Sequence, residues 1–497
     1  MSHRRRWALA AGLALCLTAI LPRPAGAAPA PAPAARQTQL RCGLPGLRDE
    51  PSDSSASFTG TPDGNDVAVG APGTPRGRLT QAGMVEVRYS CAARSGVQNL
   101  RLPTSHRGDR FGAAITAAHL NGDVYTDLVV GVPGLDVGKA KDAGGIAMFL
   151  GSPAGLVYAR TLTQASPGMP GGVQAGAHFG AVLSFEAERW WDDEPDGVLG
   201  IGAPDKDVGG VVDAGAVVEI NTLSSSEGVV RQELTLDSPR VPGAPGVGDH
   251  LGAAIDLSTG TFGIGLPGRK VNGHHQAGAV LVARRDDDSP YGLQLVTQDT
   301  RGFAGTAETG DRFGAALAGG WIGVPGEDVR GVRDAGLLQS QQGDSVHQET
   351  DRFPGRARAG DQLGAALSVW VPPTENGTQT VKILAGMPGK DVAGVEDAGA
   401  VLSFRFARST YPRIFAVSVA PAPDPEPNGH FGSAMLRAGT QVLVGAPGAA
   451  AGRGRVAVYD CLYENVPLAL RGQWTQATAA ARTNRYGTAL GGIPNLT

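Results

Sequence analysis

The sequence predicts an all-β protein: a seven-bladed β-propeller of four-stranded blades, closed by the C-terminal strand joining the first blade. Three observations carry this. Gly-x-Pro closes an apolar run at Gly70, Gly131, Gly202, Gly265, Gly323, Gly386 and Gly445, at spacings of about 50–70 residues, the period of propeller blades or solenoid units. A second series, an aromatic residue or leucine followed by glycine, recurs at Phe111, Phe179, Leu251, Phe313, Leu363, Phe431 and Tyr486. The two series are offset. The first Gly-x-Pro strand, DVAVGAP from Asp66 to Pro72, has no such start before it, and the last start, RYGTALGG, has no such strand after it. A linear stack has no use for that offset. A ring needs it, because a first blade completed by the last strand leaves no open edge.

Taken in order, the chain begins with Arg4, Arg5 and Arg6, an apolar run from Trp7 to Leu21 and the small residues Ala25-Gly26-Ala27. That is the pattern of a signal peptide over 1–27, cleaved near Ala27, which predicts a secreted product. Ala-Pro alternation from Ala28 to Ala35 favours an extended tether, so residues 28–54 read as a tether and N-terminal arm. Residues 55–497 then divide into seven units of about 65 residues each, with no space for a separate catalytic domain. No later stretch approaches the ~20 apolar residues needed to span a bilayer. A net charge of −4 points to neither nucleic acid nor an anionic membrane surface, and 74 glycines with 35 prolines suit a turn-rich β protein. A monomer is expected.

Within a unit, the first strand follows Phe-Gly (FGAAITA) and the second precedes Gly-x-Pro (DLVVGVP). The third follows Ala-Gly (GAVVEI, GAVLSF), and the fourth carries Leu-Thr-Gln or a variant of it (RTLTQ, QLVTQ). Short apolar runs bounded by glycine and proline are strand signals, and blades covered on both faces read apolar throughout. Three cysteines lie beyond the signal, Cys42, Cys91 and Cys461. In an oxidising compartment this odd number predicts one disulfide and one free thiol, with Cys42 pairing to one of the other two. The sequence leaves open which.

With its Phe-Gly, Gly-x-Pro and Ala-Gly elements in register over roughly residues 55–492, the chain resembles the FG-GAP repeat proteins, a family that includes the propeller heads of integrin α subunits. The resemblance implies a bacterial-type secreted member with a binding or cell-adhesion-like role. It also implies calcium in a loop between first and second strands, where alternate positions of a tight turn converge oxygen ligands on a hard cation. One loop comes close, in the second blade: the side chains of Asn121, Asp123 and Asp127 with the Tyr125 carbonyl. His119 stands at the first ligand position and Val124 where glycine is usual. The alternative is an Asn-Gly turn held by its own side chains. Asp63, Asn65 and Asp66 are a shortened version, the loop holding Asp192, Asp193, Glu194 and Asp196 has the wrong spacing, and AGGWIG in the fifth unit has no acid.

Aspartates six apart recur between second and third strands: Asp136 with Asp142, Asp207 with Asp213, Asp328 with Asp334, Asp391 with Asp397. Both are missing together at Lys270 and Gln276, which reads as one local turn structure rather than a metal site. The residues just before the Phe-Gly equivalents are Arg110, His178, His250, Arg312, Gln362, His430 and Arg485. If the first strand is innermost, all seven lie near one mouth of the channel and form a ligand-binding ring for an acidic extracellular protein or glycan. The alternative is a set of solvated caps on Asp109, Asp249, Asp311 and Asp361. Arg107-Gly108-Asp109 is a repeat element that happens to follow an arginine, because Gly-Asp recurs with Val, Thr and Ala in front. No Gly-x-Ser-x-Gly, His-Glu-x-x-His or P-loop is present. The leading expectation is a non-catalytic binding propeller; an extracellular hydrolase with its site at the channel mouth and a structural envelope-associated protein are the alternatives.

Overall fold

The structure, a computed structural model, describes Phe58 and residues 66–491 apart from 90–95, 122, 189–195, 223–228, 258–261, 287–288, 352, 371–379, 408–412, 439–440, 462–467 and 477–483. The expected signal peptide and tether, Cys42 and Cys91 lie outside these residues, as do Asp63, Asn65 and Asp192 to Glu194. The strands form seven four-stranded antiparallel sheets. Blade 2 shows the plan: Ile115–Ala118, Asp127–Gly131, Ile146–Leu150 and Val157–Leu162, paired in sequence order. Blades 3 to 7 repeat it, starting at Val182–Glu188, Ala254–Asp256, Ala316–Ala318, Leu367–Trp370 and Ala434–Ala438. Each of these first strands touches its counterparts in the blades before and after, so the first strands line the axis.

Blade 1 is completed from the far end of the chain. Its inner strand is Leu490–Gly491, paired antiparallel with Val67–Gly70 through Ala68 opposite Gly491 and Val69 opposite Leu490. Val85–Arg88 and Val97–Leu100 follow outward. The offset between the two sequence series is this clasp. Tyr486, which replaces the phenylalanine or leucine of the other blades, is fully buried and donates its hydroxyl to Glu86 Oε1 at 2.7 Å. Arg88 binds the same oxygen at 2.6 Å, and its guanidinium lies over the Trp474 ring of blade 7.

Apolar packing lies between blades. Seven hydrophobic clusters each draw on two consecutive blades, and each contains one residue of the Phe-Gly series, from Phe111 between blades 1 and 2 to Tyr486 between blades 7 and 1. This is why strands such as Asp127–Gly131 are buried along their whole length. Burying one such phenylalanine contributes roughly 1.5–3 kcal/mol.

Glycines let the blades close on one another. A Cβ built on Gly131 would lie 2.1 Å from the carbonyl oxygen of Gly180, the Phe-Gly glycine of the next blade. The same contact, at 2.0–2.4 Å, is made by every Gly-x-Pro glycine, with Gly445 meeting Gly487 to close the ring. The Phe-Gly residue then hydrogen-bonds backward, as in Phe179 N to Ala143 O at 3.1 Å and Tyr486 N to Arg453 O at 3.0 Å. Gly-x-Pro, Phe-Gly and Ala-Gly are thus three parts of one joint between neighbouring blades.

Candidate functional site at the channel mouth

The joint fixes the seven ring residues. Each donates its backbone N–H to the preceding blade, as in His178 N to Asp142 O at 3.2 Å and Arg485 N to Gly452 O at 3.2 Å. Each sits in the left-handed region, with φ between 51° and 57° at Arg110, His178, His250, Arg312, Gln362, His430 and Arg485. Six are partly exposed and Arg485 is exposed. They start the innermost strands, so they encircle the axis on one face. Asp109, Asp249, Asp311 and Asp361 are buried and turn back to accept N–H groups of their own loops, from His106, Gly246, Glu308 and Arg358. Burial of Asp109 also withdraws its carboxylate from any Arg-Gly-Asp display.

Two ring histidines are brought together by a residue that sequence reading missed. Asp205 Oδ2 lies 2.6 Å from His178 Nδ1, and its Oδ1 lies 2.9 Å from His250 Nδ1. Burial would raise the Asp205 carboxyl, but the hydrogen bonds and charges of the two imidazoles outweigh it and hold the carboxyl well below the usual carboxylate range. The bond from Asp205 in turn raises His250, against its own burial. The signal was available in the repeats. The residue after Gly-x-Pro is glycine in six units (Gly73, Gly134, Gly268, Gly326, Gly389, Gly448) and aspartate only in the third. In the same sector Val212 and Val247 are 51% and 76% exposed, flanking a bond from Gly248 N to Val212 O. Elsewhere on the ring, Arg110 reaches Asp142 at 3.7 Å and His430 Nδ1 lies 3.3 Å from the Pro388 carbonyl. Two half-exposed imidazoles pinned by one carboxylate, beside exposed valines, offer hydrogen-bonding and apolar contact to a ligand on that side.

The six-residue aspartate pairs are turn structures. Asp136, Asp207, Asp328 and Asp391 each accept the backbone N–H of the second aspartate at 2.9–3.1 Å, and the second aspartates have φ of 49–52°. A carboxylate held this way steadies a left-handed residue at the blade joint.

On the opposite face, Asn121 Nδ2 donates to Asp123 Oδ2 at 2.7 Å, and Asp123 Oδ1 accepts from Tyr125 N at 2.8 Å. Asp127 is fully buried and accepts Leu120 N and Gly151 N. Burial, with a smaller push from Asp123, raises its carboxyl to about 6. The donor set is all oxygen, which suits a hard cation, and each oxygen keeps a lone pair beyond its hydrogen bond. Burial lowers the His119 imidazole below its usual value, against the Asp123 charge and a bond to the Tyr125 backbone. Asp66, in the shortened version, accepts Phe58 N at 2.9 Å. Among the described residues no group of three or more histidine, cysteine, aspartate or glutamate side chains gathers in a metal-binding cluster. Among the described residues Cys461 is a free, partly buried thiol whose pKa is raised by burial; the expected disulfide involves Cys42, which lies outside them.

No protein-family model matches the sequence, and no curated protein matches it. Among solved structures, the chain is similar to the periplasmic gluconolactonase PpgL of Pseudomonas aeruginosa, with 12% identity over 82% of this chain and 95% of that one and a TM-score of 0.39. It is also similar to the WD40 domain of SCAP from fission yeast, with 10% identity over 81% and 85% and a TM-score of 0.35. These are likenesses of shape, and the blade count rests on the strand pairing above. No helix among the described residues is long and apolar enough to cross a membrane.

Proposed function

We propose that this protein is a secreted, non-catalytic binding propeller of the FG-GAP type, which holds an acidic extracellular protein or glycan on the channel mouth. One observation carries the reading. At seven positions where the left-handed backbone would suit glycine, the chain keeps a polar and mostly basic side chain instead. Arg110, Arg312 and Arg485 supply fixed positive charge, and His178 and His250, oriented by Asp205, supply directed hydrogen bonds. Val212 and Val247 add apolar contact to that sector. A calcium ion belongs to the same reading, held in the second-blade loop by Asn121, Asp123, Asp127 and the Tyr125 carbonyl; it would neutralise two neighbouring carboxylates there.

The test is an array of glycans and extracellular proteins probed with the full chain, followed by affinity measurement on whatever acidic partner it retains. The double variant Arg110→Glu and Arg312→Glu should abolish that binding, and unchanged affinity would sink the proposal. The calcium part is read separately: calcium should raise the melting temperature of the wild type, by an increment that Asp123→Ala removes.

A further inference from the structure

Behind the mouth, blades 5 and 6 each have a niche built from three positions: the glutamine just past the preceding blade's fourth strand, the buried aspartate before the ring residue, and the residue two after the Gly-x-Pro proline. In blade 6 these are Gln348, Asp361 and Lys390. The Lys390 ammonium bridges Gln348 Oε1 at 3.0 Å and Asp361 Oδ2 at 2.8 Å. In blade 5 they are Gln298, Asp311 and Glu327. The backbone is the same: Glu327 N reaches Val324 O at 3.2 Å and Gly336 N reaches Glu327 O at 3.0 Å, while Lys390 N reaches Met387 O at 3.2 Å and Gly399 N reaches Lys390 O at 2.9 Å. The side-chain charge is reversed, and the amide turns with it: Gln348 Nε2 donates to Asp361 Oδ2 at 2.8 Å, whereas Gln298 Nε2 donates to Glu327.

We infer that the blade 5 niche is a binding site for a divalent metal cation, with Glu327, Asp311 and the amide oxygen of Gln298 as its protein ligands. The orphaned amide is the observation that points to a ligand. Gln298 is 2% exposed; its Nε2 donates to Glu327 Oε2 at 2.5 Å, and its Oε1 has no partner. The matching oxygen in blade 6 is the one the ammonium occupies. Space is kept as well: a Cβ on Gly305 would lie 2.9 Å from Gln298 Nε2 and 3.1 Å from Glu327 Oε1.

Charge sets the valence. The blade 6 niche is balanced by one ammonium, whereas the blade 5 niche carries two carboxylates, which a divalent ion neutralises. Glu327 remains partly exposed, so an ion has a route in, and water completes its shell.

The experiment is thermal unfolding of the full chain at about pH 8 in an Asp123→Ala background that silences the second-blade loop. Millimolar calcium or magnesium chloride should raise the melting temperature by about 3 °C over potassium chloride of equal ionic strength. Glu327→Lys, which copies blade 6, should lose the shift while melting at or above the metal-free parent. Glu327→Gln should also lose it, so the test survives if the lysine variant fails to fold. An undiminished shift in Glu327→Gln, an equal effect of potassium, or no shift in the parent overturns the site.

Discussion

The joint between blades and the niche behind it are built from adjacent residues of the same motifs, yet the joint is the same in all seven places and the niche is not. At the joint the partners are backbone. Gly131 against Gly180 and Gly445 against Gly487 leave no room for a side chain, so no alternative residue fits. In the niche the partners are side chains, and the combinations differ: Asp249 with Arg269 at 2.5 Å, Asp361 with Lys390, Lys206 turned to Glu233 at 2.5 Å, and Glu327 with the Gln298 amide in blade 5. Repetition is held by steric exclusion where atoms touch backbone. Where a carboxylate needs only some compensating charge, it drifts, and it is there that one blade acquires a property its neighbours lack.

This contrast can be broken at its stiff end first. Gly131→Val should lose more than about 4 kcal/mol and prevent folding, because the next blade's carbonyl occupies the Cβ position. Gly138→Ala, where φ is +61° and the space is open, should cost only about 1 kcal/mol. Chemical unfolding of the two variants separates them, and equal losses would mean that the joint is not the constraint described. Next, Lys390→Glu converts the blade 6 niche to the blade 5 pattern. Without metal it should cost about 3 kcal/mol by leaving Asp361 buried without its ammonium. If denaturant curves show no loss, the lysine is not compensating the aspartate. At the clasp, Tyr486→Phe keeps the ring in its pocket and removes only the hydroxyl that reaches Glu86, with an expected loss of about 1–3 kcal/mol. A neutral result would reduce the bond to decoration.

The smallest effect lies at the mouth. The lowered Asp205 contributes stability above the unfolded carboxylate value of about 4, lost as pH falls through its folded value. The raised His250 contributes stability below about 6.5, lost as pH rises through its folded value. The cluster should therefore contribute most between these limits and fade above neutrality. Asp205→Gly, which copies the other six units, should flatten the melting temperature between about pH 6 and pH 8; an unchanged slope would show that His250 titrates independently of it.

What the sequence made legible follows the same division. The seven starts, the seven Gly-x-Pro strands and the clasp at Tyr486 were readable because backbone contact imposes a residue type at each copy. The ring from Arg110 to Arg485 was readable as a register. The bridging of His178 and His250 was not, because Asp205 belongs to a different strand end, and its partners are set by how blade 3 meets blade 4. Comparing units position by position reveals it as the lone substitution for glycine. The blade 5 niche was hidden for a related reason: Gln298 comes from blade 4, and Glu327 alone is an ordinary loop acid until Lys390 stands beside it for comparison.

The pairing of Leu490 with Val69 has a temporal side. The ribosome delivers residue 69 long before residue 490, so blade 1 waits with one ladder unfilled while the six blades after it are synthesised. Until that late segment arrives, Val67–Gly70 exposes a bare hydrogen-bonding edge and a half-covered apolar face, the kind of surface that recruits strands from other molecules. Chains interrupted before residue 490 would keep that edge permanently, so such truncations should yield aggregates rather than merely loosened rings.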